Sequence, residues 1–202
     1  MMTLYATPLS HFSRKVRILL DLYAVDYEFI DIGNVAEGDL KTFAGNPLLK
    51  VPVLVDGETW IIESDHIARY VAQKFDPADR FRVTASGLDD LNLRAVLNGI
   101  MTEEVKVILA RRTGVPVEQY RFFADALEAI ANGLMWLETN AGRFTPGEPG
   151  YREFHLVCLF QHLEWYELLP LNYPKLRSIV EETVRRVPVL VKTAPLTVKP
   201  KG

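Results

Sequence analysis

The stretch Lys50-Val51-Pro52-Val53-Leu54-Val55-Asp56-Gly57-Glu58-Thr59-Trp60-Ile61-Ile62-Glu63-Ser64-Asp65 decides the fold. Two short apolar runs, Val53 to Val55 and Trp60 to Ile62, flank Asp56-Gly57, a pair that accepts the positive φ angles of a tight hairpin turn. Ser64 then stands where a helix N-cap is needed, and the pattern predicts a helix running to about residue 74. Asp65 falls in its first turn, where the helix dipole favours a negative charge. Pro52 opens an otherwise good strand, which leaves two readings. Either the Val51-Pro52 bond is cis and turns the Val51 backbone towards a groove, or a trans proline simply starts an edge strand.

Upstream of the hairpin, residues 3–6 read as a strand. Residues 12–24 read as a helix, because Phe12, Val16, Leu19, Leu20 and Tyr23 recur at helical spacing. Residues 26–32 form a second strand, and 36–44 a short helix closed by Gly45, Asn46 and Pro47. The order is βαβαββα, the thioredoxin-like topology of a mixed sheet covered by helices. A charged, proline-bearing stretch from Phe75 to about Thr84 has neither period.

Beyond that stretch everything reads as helix: 88–112, 117–140 with the stripe Phe123, Leu127, Ile130, Leu134 and Leu137, an apolar central helix at 151–169, and 173–187. Pro188, Pro195 and Pro200 predict an irregular tail. The expected organisation is an α/β thioredoxin-like domain at 1–76, a linker at 77–85 and an all-α helical bundle domain at 86–202.

The 202 residues carry 23 Lys and Arg against 26 Asp and Glu, and the basic residues are scattered. A phosphate backbone calls for a basic stripe, so nucleic acid is not an expected partner. The opening MMTLYATPLSHFSRKVR has no basic start followed by a long apolar run, so neither a secretory signal nor a membrane span is expected and the default address is the cytoplasm. The single cysteine, Cys158, lies in an apolar run and reads as a buried core thiol. No metal site is expected: of the four histidines, His155 and His162 stand two helical turns apart, roughly 10 Å, too far to share one ion.

Three stretches of the first domain carry chemistry. In Ser10-His11-Phe12-Ser13, at the junction of strand and first helix, serine occupies both positions of the thioredoxin-like Cys-x-x-Cys. The protein then has no thiol of its own there, and a thiol must come from a ligand. Unpaired N–H groups and the partial positive charge of a helix N-terminus favour a thiolate, and a serine hydroxyl can donate to it. Lowering a thiol pKa by about two units takes roughly 2.7 kcal/mol, within the reach of one hydroxyl and a helix end. The alternative is that Ser10 only caps the helix. In the second stretch, a Val51 backbone turned outward by a cis Pro52 would grip a peptide. In the third, Glu63-Ser64, the hydroxyl and helix N–H groups suit a carboxylate and Glu63 an ammonium, the two ends of an amino-acid zwitterion. The alternative there is capping by Ser64 beside a solvated Glu63.

Taken together, Leu4-Tyr5 through Ser10 and Arg17, Asn46-Pro47, Lys50 to Gly57, and Glu63-Ser64-Asp65 with Ile67-Ala68 and Tyr70 resemble the N-terminal domain of bacterial serine-type glutathione transferases. Tyr173-Pro174-Lys175-Leu176 and Arg185-Arg186-Val187-Pro188 are similar to that family's final helices. The resemblance implies an enzyme that binds glutathione as co-substrate and promotes thiolate attack on a small hydrophobic electrophile, with a homodimer as its assembly. It assigns thiol activation to Ser10 and glutathione binding to Phe12, Lys50, Val51, Pro52, Glu63 and Ser64, with Pro52 as the cis proline. Phe12, Met101 and the start of the long helix after the linker are expected to line the electrophile pocket.

The chain departs from the family in several places. His11 stands where proline is common and reads as a polar residue facing solvent, with contact to the ligand as the alternative. Leu48-Leu49 replaces the glycine usual before Lys-Val-Pro, and His66 replaces a small residue. The family's helix-capping serine or threonine followed by aspartate appears as Gly150 and Glu153. Other classes activate the thiol with a first-strand tyrosine, but that position falls on Ala6, so Tyr5 reads as core. These departures leave open a non-catalytic interaction module of the same fold, separable by retention on immobilised glutathione. A glutathione-dependent reductase is disfavoured by serine at position 10, and a maleylacetoacetate isomerase by the missing Ser-Ser-Cys and Trp-Arg-Val-Arg pattern of that class.

Overall fold

The structure is a computed structural model and describes residues 1–195. The chain divides into two compact units, Met1–Thr84 together with the segment from Pro188, and Ala85–Val187.

The first unit is built on a four-stranded mixed sheet, β1 (Met2–Ala6), β2 (Tyr27–Asp31), β3 (Val53–Asp56) and β4 (Thr59–Ile62), in the order β2-β1-β3-β4. β2 runs parallel to β1, while β3 is antiparallel to both β1 and β4. Helices α1 (His11–Leu22) and α2 (Ser64–Phe75) pack on each other and bury Val16, Ile18, Leu19, Leu20, Ile67, Ala68, Val71 and Ala72. These residues meet Leu4, Ala6, Val53 and Leu54 as the unit's buried apolar core. The thioredoxin-like mixed sheet is as expected.

One expected element is absent. Residues 36–44 form successive turns instead of a helix. Their short polar side chains capture the N–H groups a helix would need: Asn34 Oδ1 accepts from the Ala36 N–H at 3.1 Å, and Asp39 Oδ1 from the Thr42 N–H at 2.8 Å. The Trp60 indole N–H donates to the Ala44 carbonyl at 2.9 Å and ties the segment to the hairpin. α1 is also shorter than its apolar pattern, because Ala24 turns left-handed at φ 52°.

Residues 76–84 are held by two aspartates. Asp76 Oδ2 accepts from the Arg80 N–H at 2.9 Å, and Asp79 from the N–H groups of Val83 and Thr84 at 2.7 and 3.0 Å. The proline-bearing tail, expected to be irregular, contains a one-turn helix, α7 (Val189–Lys192), which packs on α1. Arg14, 1% exposed, donates from Nη2 to the Leu190 carbonyl at 2.8 Å and from Nε to Thr193 Oγ1 at 3.3 Å. Pro200 lies outside the described residues.

The second unit contains α3 (Leu88–Arg112), α4 (Arg121–Thr139), α5 (Tyr151–Tyr166) and α6 (Pro174–Arg186). α3 packs on α4 and α5, and α5 packs on α6. The segment expected as one helix at 117–140 is broken at Tyr120, whose extended backbone separates a 3₁₀ turn (Val117–Gln119) from α4. α5 is buried on nearly all sides, with Phe154, Leu156, Val157, Cys158, Leu159 and Phe160 at 0% exposure, so Cys158 is a core thiol as expected. It stops at Glu167, left-handed at φ 47°.

Two carboxylates replace missing caps. Glu153 accepts from the N–H groups of Gly150 and Thr145, each at 2.8 Å, and Glu138 of α4 accepts from those of Lys175 and Leu176 at 3.0 and 2.9 Å, capping α6 from a neighbouring helix. Among the described residues no helix is long and apolar enough to cross a membrane.

A Cβ on Gly133 would lie 2.7 Å from Ile100 Cγ1, so the close approach of α3 and α4 depends on glycine there. Gly133→Ala should cost about 1–3 kcal/mol in denaturant unfolding, with much of the loss relieved in an Ile100→Ala background. In the first unit, the Lys74 ammonium and the Tyr70 hydroxyl hold the Asp56 carboxyl below the usual carboxylate range. Since the folded value lies below the unfolded one, that stabilisation is complete above about pH 4 and is lost as pH falls through the folded value. Asp56→Asn should therefore flatten the acid limb of the stability profile measured by unfolding at a series of pH values.

Candidate functional site

The sheet register collects the three sequence motifs. Tyr5 pairs with Val53, and Val53 with Ile62. The chain leaving β1, the chain entering β3 and the chain leaving β4 therefore share one end of the sheet. Ser10 follows the first, Val51-Pro52 precedes the second, and Glu63-Ser64 follows the third.

Ser10 caps α1, with extended backbone angles of φ −62° and ψ 114° and an Oγ that accepts from the Ser13 N–H at 3.1 Å. Capping does not exclude the chemical role, because a hydroxyl that accepts through a lone pair keeps its O–H to donate. Phe12 is half-buried in the same turn, with its ring centroid 5.5 Å from Lys15 Nζ. His11 differs from expectation: it is buried at 1% exposure instead of facing solvent, and its ring lies 4.7 Å from that of Phe12.

The Val51-Pro52 bond is cis. Pro52 is buried, and Val51 is half-buried and lies outside the ladder, which starts at Val53. Asn46, 2% exposed, shapes the approach: its Nδ2 donates to the Lys50 carbonyl at 2.8 Å and its Oδ1 accepts from the Leu48 N–H at 3.0 Å. The Lys50 side chain is exposed. Leu49 is left-handed at φ 49°, a conformation glycine adopts without penalty, so the leucine is accommodated at some cost.

At the third motif the structure moves the cap by one residue. Glu63, not Ser64, is the N-cap of α2, and Ser64 is its first helical residue. Glu63 is exposed and holds the unusual angles φ 72° and ψ 119° with no side-chain cap bond. Ser64 is 1% exposed, and among the described residues its Oγ has no hydrogen-bond partner. A buried unsatisfied hydroxyl costs about 1–3 kcal/mol, and a backbone like that of Glu63 costs a similar amount. Both penalties fall on adjacent residues at the end of the sheet where the other motifs meet. His66, two residues after Ser64, is exposed.

Sequence reasoning missed the link behind this site. Lys15 Nζ, fully buried, lies 2.8 Å from Asp65 Oδ1 and joins the second turn of α1 to the first turn of α2. The available signal was a lysine inside the apolar run of α1 and an aspartate directly after Ser64.

Other expected residues lie elsewhere. Tyr5 is half-buried, not fully in the core, while Ala6 is buried at 0%. Met101 is not a pocket wall within the helical unit: it is 0% exposed with its sulfur 3.1 Å from His155 Nε2, because α3 and α5 close over it. In the same core Glu104 Oε1 lies 2.6 Å from His162 Nδ1, and burial pushes the Glu104 carboxyl up while His162 opposes the shift.

Residues 4–79 match the family described as glutathione S-transferase, N-terminal domain. A zeta-class glutathione S-transferase of Euphorbia esula is 32% identical over 177 residues, covering 78% of this chain and 71% of that protein. Glutathione S-transferase Z1 of Arabidopsis thaliana is 36% identical over 171 residues, covering 78% and 72%. Among solved structures, a glutathione S-transferase from Methylobacillus flagellatus with glutathione bound superposes with a TM-score of 0.80 at 21% identity, over 96% of this chain and all of that one (100%). A glutathione transferase family member from Pseudomonas fluorescens Pf-5 with bound glutathione gives 0.81 at 22%, over 96% and 99%. At such identities these two structures show the shared fold, and the curated relatives show descent. The chain belongs to the glutathione S-transferase family.

Proposed function

We propose that this protein is a serine-type glutathione transferase that binds glutathione at the sheet end where Ser10, Val51-Pro52 and Glu63-Ser64 meet. The observation that carries this reading is the buried Ser64 hydroxyl, without a partner among the described residues, beside the left-handed Glu63, because a ligand carboxylate would give the hydroxyl an acceptor and a ligand ammonium would pair with Glu63. In this reading Ser64 and the N–H groups of α2 receive the γ-glutamyl carboxylate, and Glu63 pairs with its ammonium. The Val51 backbone meets the cysteinyl residue beside the cis Pro52. Lys50 and Phe12 flank the bound tripeptide.

Ser10 then donates its O–H to the glutathione sulfur. A hydrogen bond to a charged group is worth about 1.5–3 kcal/mol, and a helix N-terminus up to about 2, enough to lower the thiol pKa by roughly two units. The thiol proton leaves to solvent. In a substitution, the sulfur lone pair forms the C–S bond and the leaving group departs with its bonding pair. In an addition, the π pair of an electron-poor alkene moves onto its activating group and takes up a proton.

The functional division is a glutathione-binding unit of residues 1–84, which also takes the segment from Pro188 that was expected in the helical domain at 86–202, and a helical unit at 85–187. The protein works as a cytoplasmic homodimer, without nucleic acid or membrane. The zeta-class relatives favour a second reading despite the missing class pattern: a glutathione-dependent isomerisation, in which glutathione adds to the substrate and leaves again. Product analysis separates the two, since transfer consumes glutathione and isomerisation regenerates it.

Ser10→Ala tests the assignment of the activator. Bound glutathione should lose its thiolate absorbance near neutral pH, and kcat with a general aryl or alkyl electrophile should fall by about 10²-fold. A variant with wild-type thiolate titration and rate would remove Ser10 from the mechanism.

A further inference from the structure

We propose that the buried Lys15–Asp65 ion pair is a positioning device that sets the distance between the thiol end and the γ-glutamyl end of the bound tripeptide. This inference rests on the glutathione site described above. Each end of that ligand meets a helix N-terminus: α1 begins directly after Ser10, and α2 begins at Ser64. The two helices pack on each other, and apolar packing alone tolerates sliding.

Lys15 and Asp65 constrain that sliding. Lys15 is 0% exposed, its Nζ lies 2.8 Å from Asp65 Oδ1, and the Asp65 side chain is 23% exposed. Asp65 is the residue after Ser64, so the contact is made next to the hydroxyl assigned to the γ-glutamyl carboxylate. Lys15 is one turn beyond His11, the first residue of α1, and its ammonium also lies 5.5 Å from the ring centroid of Phe12. One buried charge therefore contacts the first turn of both helices.

A buried ion pair contributes little net stability against an apolar pair of similar shape, because desolvation offsets the Coulomb attraction. Its geometry is nevertheless directional, and an apolar replacement would not reproduce it. What the pair adds is register between the two ligand-binding ends. Lys15 and Asp65 touch neither sulfur nor electrophile and act through Ser10 and Ser64.

The test compares wild type with Lys15→Met/Asp65→Leu, which removes both charges and puts apolar side chains of similar shape in their place. Both proteins are assayed with glutathione and with cysteinylglycine, a thiol that lacks the γ-glutamyl end. The KM for glutathione should rise by on the order of tenfold. kcat at saturation should stay within about twofold, and the KM for cysteinylglycine should not change, because that thiol never spans both helix ends. If the double variant does not fold cooperatively, Asp65→Asn carries the same comparison. A folded variant with the wild-type glutathione KM, or one that loses both thiols equally, overturns the inference while leaving the glutathione site standing. Wild type that shows no saturable use of glutathione overturns the functional reading and this inference together.

Discussion

Two backbone pairings, Tyr5 with Val53 and Val53 with Ile62, govern where everything else at the site can be. Side chains alternate along a strand, so a slip of one residue in either ladder would turn Leu4, Ala6 and Leu54 out of the core. The same slip would carry Pro52 away from the first turn of α1, or Glu63 away from both. The apolar core thus enforces the register, and the register places three distant parts of the sequence at one edge. The polar residues at that edge contribute little to folding; burial elsewhere in the unit holds them in place.

Behind that edge the first two turns of α1 are unusual for a helix in contact with solvent. Ser13, Arg14 and Lys15 are all at most 1% exposed. Arg14 reaches the Leu190 carbonyl and Thr193, and Lys15 reaches Asp65, so α1 is tied by specific polar contacts to α7 on one side and α2 on the other. Removing one member of such a contact strands a buried charge and costs several kcal/mol, whereas the intact contact adds little net stability. What these contacts confer is a single orientation of the helix whose N-terminus carries Ser10. In contrast, Ser64 and Glu63 hold local penalties that nothing among the described residues relieves.

Much of this was legible in the sequence because the signals were local. The Asp56-Gly57 hairpin, the helical spacing of α1 and the apolar α5 depend on neighbours within a few residues, and they appear at nearly the expected positions. α3 begins and ends at the expected residues. The failures share a cause as well. The helix expected at 36–44 yielded to side-chain hydrogen bonds of Asn34 and Asp39, which compete with helical bonding without altering the apolar pattern. His11 and Met101 were misplaced because their burial depends on packing partners that periodicity cannot show. Lys15 and Glu138 act on backbone or side chains reached only through the fold, whereas Glu153 makes the local bond to the Gly150 N–H that its spacing suggested. At the site, the residue types were readable, but the shift of the α2 cap from Ser64 to Glu63 was not, since it depends on one φ angle.

The account stands on the claim that one end of the sheet is a single binding site for one extended tripeptide. A crystal structure of the protein grown with glutathione tests this most directly. It should show the sulfur within hydrogen-bonding distance of Ser10 Oγ, the cysteinyl backbone paired with Val51, and the γ-glutamyl carboxylate on Ser64 Oγ. Glutathione absent from that edge at millimolar concentration, or bound there with its sulfur turned away from Ser10, would contradict it.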